Sequence, residues 1–145
     1  MAYAAEVQTV EDYLSTSVWL DGPGAGEVAE SLDIYIPLKL ARARKIARRL
    51  KQLGVNSPAS FHSTQKIVPP PDETDPLPAV EGILEAQRQA VARYERLIET
   101  CEGKDFTTHD LALEILADEE RHRALFEGFL THLNELRKIK PLTPE

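Results

Sequence analysis

Apolar positions along this chain recur at steps of three and four and never in sustained alternation, so the pattern predicts helices and no strands. Turn residues cut the periodic stretches into four. The first runs from about Tyr3 to Leu20 and stops at Asp21-Gly22-Pro23-Gly24, where glycine takes the left-handed C-terminal position and proline prevents continuation. The second runs from about Glu27 to Leu53 and is ended by Gly54. Pro37 lies inside it and should kink or break it, because proline removes one backbone hydrogen bond. A polar, proline-rich connection follows from Val55 to about Thr74 and contains Pro69-Pro70-Pro71. Asp75-Pro76 reads as an N-cap followed by proline at the first helical position, opening a third helix that reaches about Cys101 and is closed by Gly103. Thr107-Thr108-His109-Asp110 resembles a capping arrangement for the fourth helix, which extends to about Arg137. One domain over 1–137 is expected, with a loose tail over 138–145.

The inward stripes carry polar groups. In the fourth helix the stripe reads Ile115, Glu119, His122, Phe126, Phe129, Leu133, Leu136, so Glu119 and His122 fall on the apolar face. In the third it reads Ile83, Gln87, Ala90, Tyr94, Leu97, Cys101, and in the first Tyr3, Glu6, Val10, Tyr13, Ser17, Leu20. A bare buried carboxylate is costly, so each of these groups needs a partner. Glu119-x-x-His122 places a carboxylate and an imidazole on one helical face, where both can grip one cation. On a solvated face that pattern is common by chance; its place on an apolar stripe makes it informative.

The two halves of the chain resemble each other. Glu6 to Tyr13 aligns with Gln87 to Tyr94, each an acid or amide followed seven positions later by tyrosine. In the same register Lys39-x-x-Arg42 mirrors Glu119-x-x-His122, as a duplicated helix pair would. Two short hairpins joined by one long link predict an all-α, left-handed four-helix bundle with a long crossover between helices 2 and 3. An up-and-down bundle with a disordered middle loop is the alternative.

Asp118-Glu119-Glu120-Arg121-His122, following Leu113-Glu114-Ile115-Leu116, resembles the last metal-binding helix of bacterioferritins and Dps-like ferritins, members of the ferritin-like superfamily. The segment Arg42 to Gly54 is similar to their second helix, which usually reads His-Ala and ends in Leu-Gly. The resemblance covers about Glu6 to Leu133 and is strongest from Gln87 to Phe129. It implies iron handling or oxidative-stress protection, and a homo-oligomer from a dimer up to a hollow cage. It also implies a diiron site to which each half gives one Glu and one Glu-x-x-His. Here Glu6, Glu119 and His122 match that pattern. Gln87 stands where the second lone Glu belongs, and Lys39 and Arg42 replace the first Glu-x-x-His. Tyr13 and Tyr94 flank the site, where family tyrosines donate hydrogen bonds or carry electrons; the alternative is that they are amphipathic core residues.

Charge separates two readings. A complete family site holds four carboxylates that repel one another until cations neutralise them. Here Glu6 and Glu119 are matched by Lys39 and Arg42, a sum of zero without metal. In the first reading the diiron site is degenerate, closed by salt bridges from Lys39 and Arg42, and metal-free. In the second, Glu6, Gln87, Glu119 and His122 form a reduced iron site, mono- or dinuclear, with ferroxidase-type activity. The second reading requires Lys39 and Arg42 to swing outward, and a rival inward face of helix 2, Leu32, Ile36, Leu40, Ala43, Ala47 and Leu50, would allow it.

The remaining features narrow the setting. The net charge of −7 disfavours general attraction to nucleic acid, although Lys39 to Lys51 carries seven basic residues; a solvated face, or one meeting an acidic face of another subunit, accounts for them as well. The single cysteine, Cys101, forms no internal disulfide and is read as a small core residue, consistent with a reducing, cytoplasmic compartment. No signal peptide or membrane span is expected from the sequence. His62, His109 and His132 are read as solvated, and Trp19 has no assigned role.

Overall fold

A computed structural model of the protein describes residues 2–55 and 74–139. The triple proline, His62 and the end of the tail lie outside the described residues. Among the described residues the chain forms four helices and no strand: α1 Ala2–Trp19, α2 Ala25–Gln52, α3 Pro76–Cys101 and α4 Phe106–Lys138. This is the four-helix bundle expected. α1 lies along α2 and α3 along α4, and the two hairpins face each other mainly through side chains.

The helix ends follow local chemistry. Gly24 precedes α2 with φ of +82° and lies so close to α4 that a Cβ there would stand 2.6 Å from Leu133 Cδ2. Only glycine satisfies both the left-handed backbone and that approach. Asp75 caps α3 by accepting from the Leu77 amide at 3.1 Å, with Pro76 in the first turn. α4 departs from the expectation. Its cap is Asp105, which accepts from the Thr108 amide at 3.0 Å and the Thr108 hydroxyl at 2.5 Å, so the helix begins at Phe106. Arg49, at the end of α2, donates to this carboxylate at 2.7 Å and to the Thr108 hydroxyl at 2.8 Å. That contact ties the last turn of α2 to the first turn of α4.

α2 continues through Pro37, which is exposed. Kinking at this point is compatible with the observed helix; breaking is not. Proline in a helix interior costs roughly 3 kcal/mol relative to alanine, offset by the roughly 1 kcal/mol it saves by restricting the unfolded chain. Pro37→Ala is therefore expected to stabilise the fold by about 2 kcal/mol. Urea unfolding of the two proteins at equal concentration measures it, and an unchanged midpoint would refute it.

The core falls into two apolar clusters. One gathers Tyr13, Val28, Leu32, Val80, Ile83, Phe126 and Leu133; the other gathers Ile46, Tyr94, Ala112 and Ile115. Between them, near the middle of α2, α3 and α4 and in the second turn of α1, lies a layer of buried polar residues.

Candidate functional site

Each helix supplies this polar layer from the face it turns to the core. α1 gives Glu6, α2 gives Lys39 and Arg42, α3 gives Gln87, and α4 gives Glu119 and His122. All six are buried, Glu119 completely. α2 is in the register that turns its cations inward: Lys39 is 3% exposed, whereas Leu40 of the rival face is 52% exposed. The inward line of α2 runs Val28, Leu32, Tyr35, Lys39, Arg42, Ile46, at the same four-and-three spacing as the other helices.

One oxygen of Glu119, Oε1, accepts from both Lys39 Nζ and Arg42 Nη1. Glu6 completes the network: its Oε2 lies 3.9 Å from Lys39 Nζ, and its Oε1 lies 3.6 Å from Arg42 Nη1. Tyr94 donates its hydroxyl to Glu6 Oε1 at 2.6 Å. Arg42 also reaches Asp118 at 3.8 Å, on the rim of the layer. Burial works against the charge of Arg42, but Glu6 and Glu119 outweigh it and hold its pKa above the usual value. Burial, then the charge and hydrogen bond of Glu6, push the Tyr94 hydroxyl up. Burial, then the charges of Glu119 and Glu6, do the same to Tyr13. Both phenols are therefore neutral at any physiological pH. Tyr13 approaches Gln87 as Tyr94 approaches Glu6, which repeats the internal symmetry of the sequence, although Gln87 forms no hydrogen bond of good geometry.

His122 is surrounded by rings. Tyr35 stacks on it with centroids 3.5 Å apart, and Tyr13 and Phe126 meet it edge-on at 5.9 and 4.9 Å. Neither of its nitrogens has a hydrogen-bond partner among the described residues. Glu6 Oε2, Glu119 Oε2 and both amide atoms of Gln87 are likewise buried without one. Burial, reinforced by Lys39 and Arg42, pushes the His122 pKa down to about 3.

This fixes a sign for the pH dependence. Unfolded His122 binds a proton below its ordinary pKa of 6.5, while folded His122 does not until about 3. Its contribution to stability is thus intact above 6.5 and is lost as pH falls toward 3, at up to about 1.4 kcal/mol per pH unit. His122→Gln is expected to flatten the fall of stability between pH 6.5 and 4. Denaturant titrations of both proteins at several pH values check this, and parallel curves would refute it.

A groove of about 390 Å³ between α2 and α4 opens onto Lys39 and Arg42, with Tyr35, Asp118 and Arg121 in its walls. Among the described residues, no group of three or more His, Cys, Asp or Glu side chains is gathered so as to hold a metal ion. Sequence reasoning placed the six core residues and both tyrosines; it did not single out Tyr35 or Asp118. The spacing from Leu32 to Tyr35 to Lys39 carried the signal for Tyr35. Cys101 is buried and free, Trp19 and His132 are exposed, and His109 is only partly exposed, 3.9 Å from Asp110. No described helix is long and apolar enough to cross a membrane.

A family model for the ferritin-like domain matches residues 1–136. A DNA protection during starvation protein of Pyrococcus furiosus is 47% identical over 58 residues, covering 37% of this chain and 31% of that protein. The chain thus spans less than a third of the length of that curated relative. Among solved structures, a dodecameric thioferritin, the bacterioferritin-related protein of Bacteroides fragilis, aligns with a TM-score of 0.84 at 22% identity, over 96% of this chain and 86% of that one. A double histidine-to-glycine variant of Listeria innocua Dps aligns with a TM-score of 0.79 at 16% identity, over 90% of each chain. At these identities the structural likenesses establish the fold.

Proposed function

Because the chain belongs to the ferritin-like domain family, whose members in general bind iron, we propose that it is a homo-oligomeric, iron- and stress-related scaffold of that family whose intra-bundle metal position is taken by its own cations. The observation that carries this reading is the Glu119 oxygen that accepts from Lys39 and Arg42 together. As placed, these residues do not fit a dinuclear centre. Two divalent ions need several anionic donors turned toward them, and the two carboxylates available already face an ammonium and a guanidinium. Two positive groups at the same spot would also repel incoming cations. The core is neutral without metal, so no charge imbalance remains for iron to relieve.

Oxygen-dependent oxidation of Fe(II) at this site is therefore expected to be absent. Any iron chemistry then belongs to the assembly, through surfaces that oligomerisation creates, and not to the core of one subunit. Purified protein exposed to Fe(II), Mn(II) and Zn(II), desalted and analysed for metal, tests the proposal. Retention at or below that of a ferritin-unrelated control supports it, and tight retention with rapid Fe(II) oxidation overturns it.

One observation favours the second reading. His122, Gln87, Glu6 and Glu119 all hold buried polar atoms without partners among the described residues, and such orphans are costly unless something meets them. A single ion on Glu6, Glu119 and His122, with Gln87 adding its carbonyl, would do so, provided that Lys39 and Arg42 swing outward. Ordered water would do so with Lys39 in place. The same metal analysis separates the two, because only the first binds one metal per chain.

A further inference from the structure

The groove between α2 and α4 has walls of two kinds. Tyr35, Leu38 and Ala41 give it an apolar surface, on which Leu38 is 55% exposed. Lys39, Arg42, Lys45 and Arg121 give it four cations, against the two carboxylates of Glu114 and Asp118. That excess is local, since the chain as a whole carries −7. Arg42 is the best placed of the four. It is 8% exposed, and its fork divides between two surroundings. Nη1 donates to Glu119 in the core. Among the described residues Nη2 has only Asp118, at 3.8 Å, a separation too long for a hydrogen bond. Asp118 is held instead by Arg121, and Glu114 by Lys45 at 2.5 Å. Those two pairs are well exposed to solvent, so they are weak and exchange readily.

We propose that this groove binds a small organic carboxylate: one carboxylate group on an apolar body about the size of a benzene ring. Arg42 Nη2 holds the charge, Lys45 or Arg121 adds a second donor by leaving its exposed partner, and the apolar body covers Leu38, Ala41 and the Tyr35 ring. A guanidinium gives a carboxylate directional, charge-assisted hydrogen bonds, which suits Arg42 to this role. The groove, at about 390 Å³, is of a size that takes small molecules. Other occupants fit less well. A divalent cation would meet four cations and two carboxylates that already have partners. A compact inorganic oxyanion would satisfy Arg42 but leave the apolar wall in water. A neutral apolar solute would cover that wall and strand the Nη2 protons without an acceptor. The inference rests on the reading that Arg42 stays turned to Glu119, because that bond fixes the guanidinium in the groove wall.

Titration calorimetry of the full chain with benzoate, benzyl alcohol, benzylammonium and inorganic phosphate tests this, with metal content measured on the same sample. Benzoate is expected to bind once per chain with a dissociation constant on the order of 1 mM or tighter, and roughly tenfold or more tighter than each of the other three. Two variants locate the site, with helicity by circular dichroism to verify folding. Ala41→Phe fills the groove from an exposed position and leaves the buried layer intact. Arg42→Lys keeps the charge of the core but removes the fork, and one ammonium serves Glu119 and a ligand less well than two nitrogens do. Each is expected to weaken benzoate about tenfold. Three results on a metal-free sample overturn the inference and leave the core reading intact: no saturable benzoate binding, phosphate or benzylammonium binding as tightly as benzoate, and Ala41→Phe binding benzoate as the wild type does. One tightly held metal ion per chain overturns the core reading, and the inference with it.

Discussion

Replacing Lys39 by methionine is expected to destabilise the protein by about 3–5 kcal/mol while conferring no metal affinity. The ammonium is 4% exposed and serves Glu119 and Glu6 at once. Methionine fills a similar volume, so packing changes little and the loss is electrostatic. What remains is two buried carboxylates facing one guanidinium. An uncompensated buried charge is what makes breaking such a pair expensive, even where building the pair adds little. Arg42 stays hydrogen-bonded to Glu119, which places the effect toward the lower end of the range. For a chain of this size the melting temperature should fall by roughly 10 °C. Lys39→Met combined with Glu119→Gln restores neutrality and should recover much of the loss, so the double-mutant cycle isolates the charge term. Calorimetry at fixed protein concentration measures the wild type, the two single variants and the double variant, since association would otherwise shift the midpoint. A single variant as stable as the wild type would mean that Lys39 does not neutralise this core.

The second large effect is a gain. Lys39→Glu, Arg42→His and Gln87→Glu together write the family's ligand pattern into both halves of the chain, completing it around Glu6, Glu119 and His122. The metal-free triple variant should be much less stable than the wild type, because four carboxylates then crowd one buried layer. Divalent metal should reverse this. A ligand that binds only the folded state at about a thousand times its dissociation constant adds about 4 kcal/mol. The expected result is about two metal ions per chain by elemental analysis, a melting temperature that rises with added Zn(II) or Fe(II), and Fe(II) oxidation faster than that of the wild type. A folded triple variant that holds no more metal than the wild type would show that these positions are not equivalent to the family's ligands.

Much of this was legible in the sequence, for a physical reason. Apolar periodicity reports burial, so Glu119 and His122, in step with Ile115 and Phe126, could be assigned to the core without coordinates. Glu6, Gln87 and the two tyrosines followed from the same argument. α2 was harder. Its inward line includes a lysine and an arginine, so a hydrophobic count scores the true face below the wholly apolar rival face through Leu40. Only the internal repeat, which set Lys39 against Glu119, favoured the correct register. The start of α4 was placed too late: Asp105 caps through the amide and hydroxyl of Thr108, and its ion pair with Arg49, 56 residues earlier, is invisible to local pattern reading. Tyr35 escaped notice for a similar reason. Its role is defined by stacking on a ring from another helix, and spacing alone places it near the core without naming that contact.

The repeat also explains why the departures are mutually consistent. In a duplicated helix pair, Lys39 and Arg42 occupy the positions that Glu119 and His122 occupy in the other half. The first half holds Lys39 and Arg42 beside Glu6, and Glu119 of the second half finds its counter-ions in the mirrored place.

Crystals of the wild-type protein soaked in Fe(II) without oxygen, with diffraction recorded on both sides of the iron absorption edge, put the question to the molecule itself. The account predicts no anomalous peak between Glu6 and Glu119, and an ammonium from Lys39 bonded to the Glu119 carboxylate. A pair of iron peaks bridged by those carboxylates, with the Lys39 side chain turned out to solvent, would contradict it.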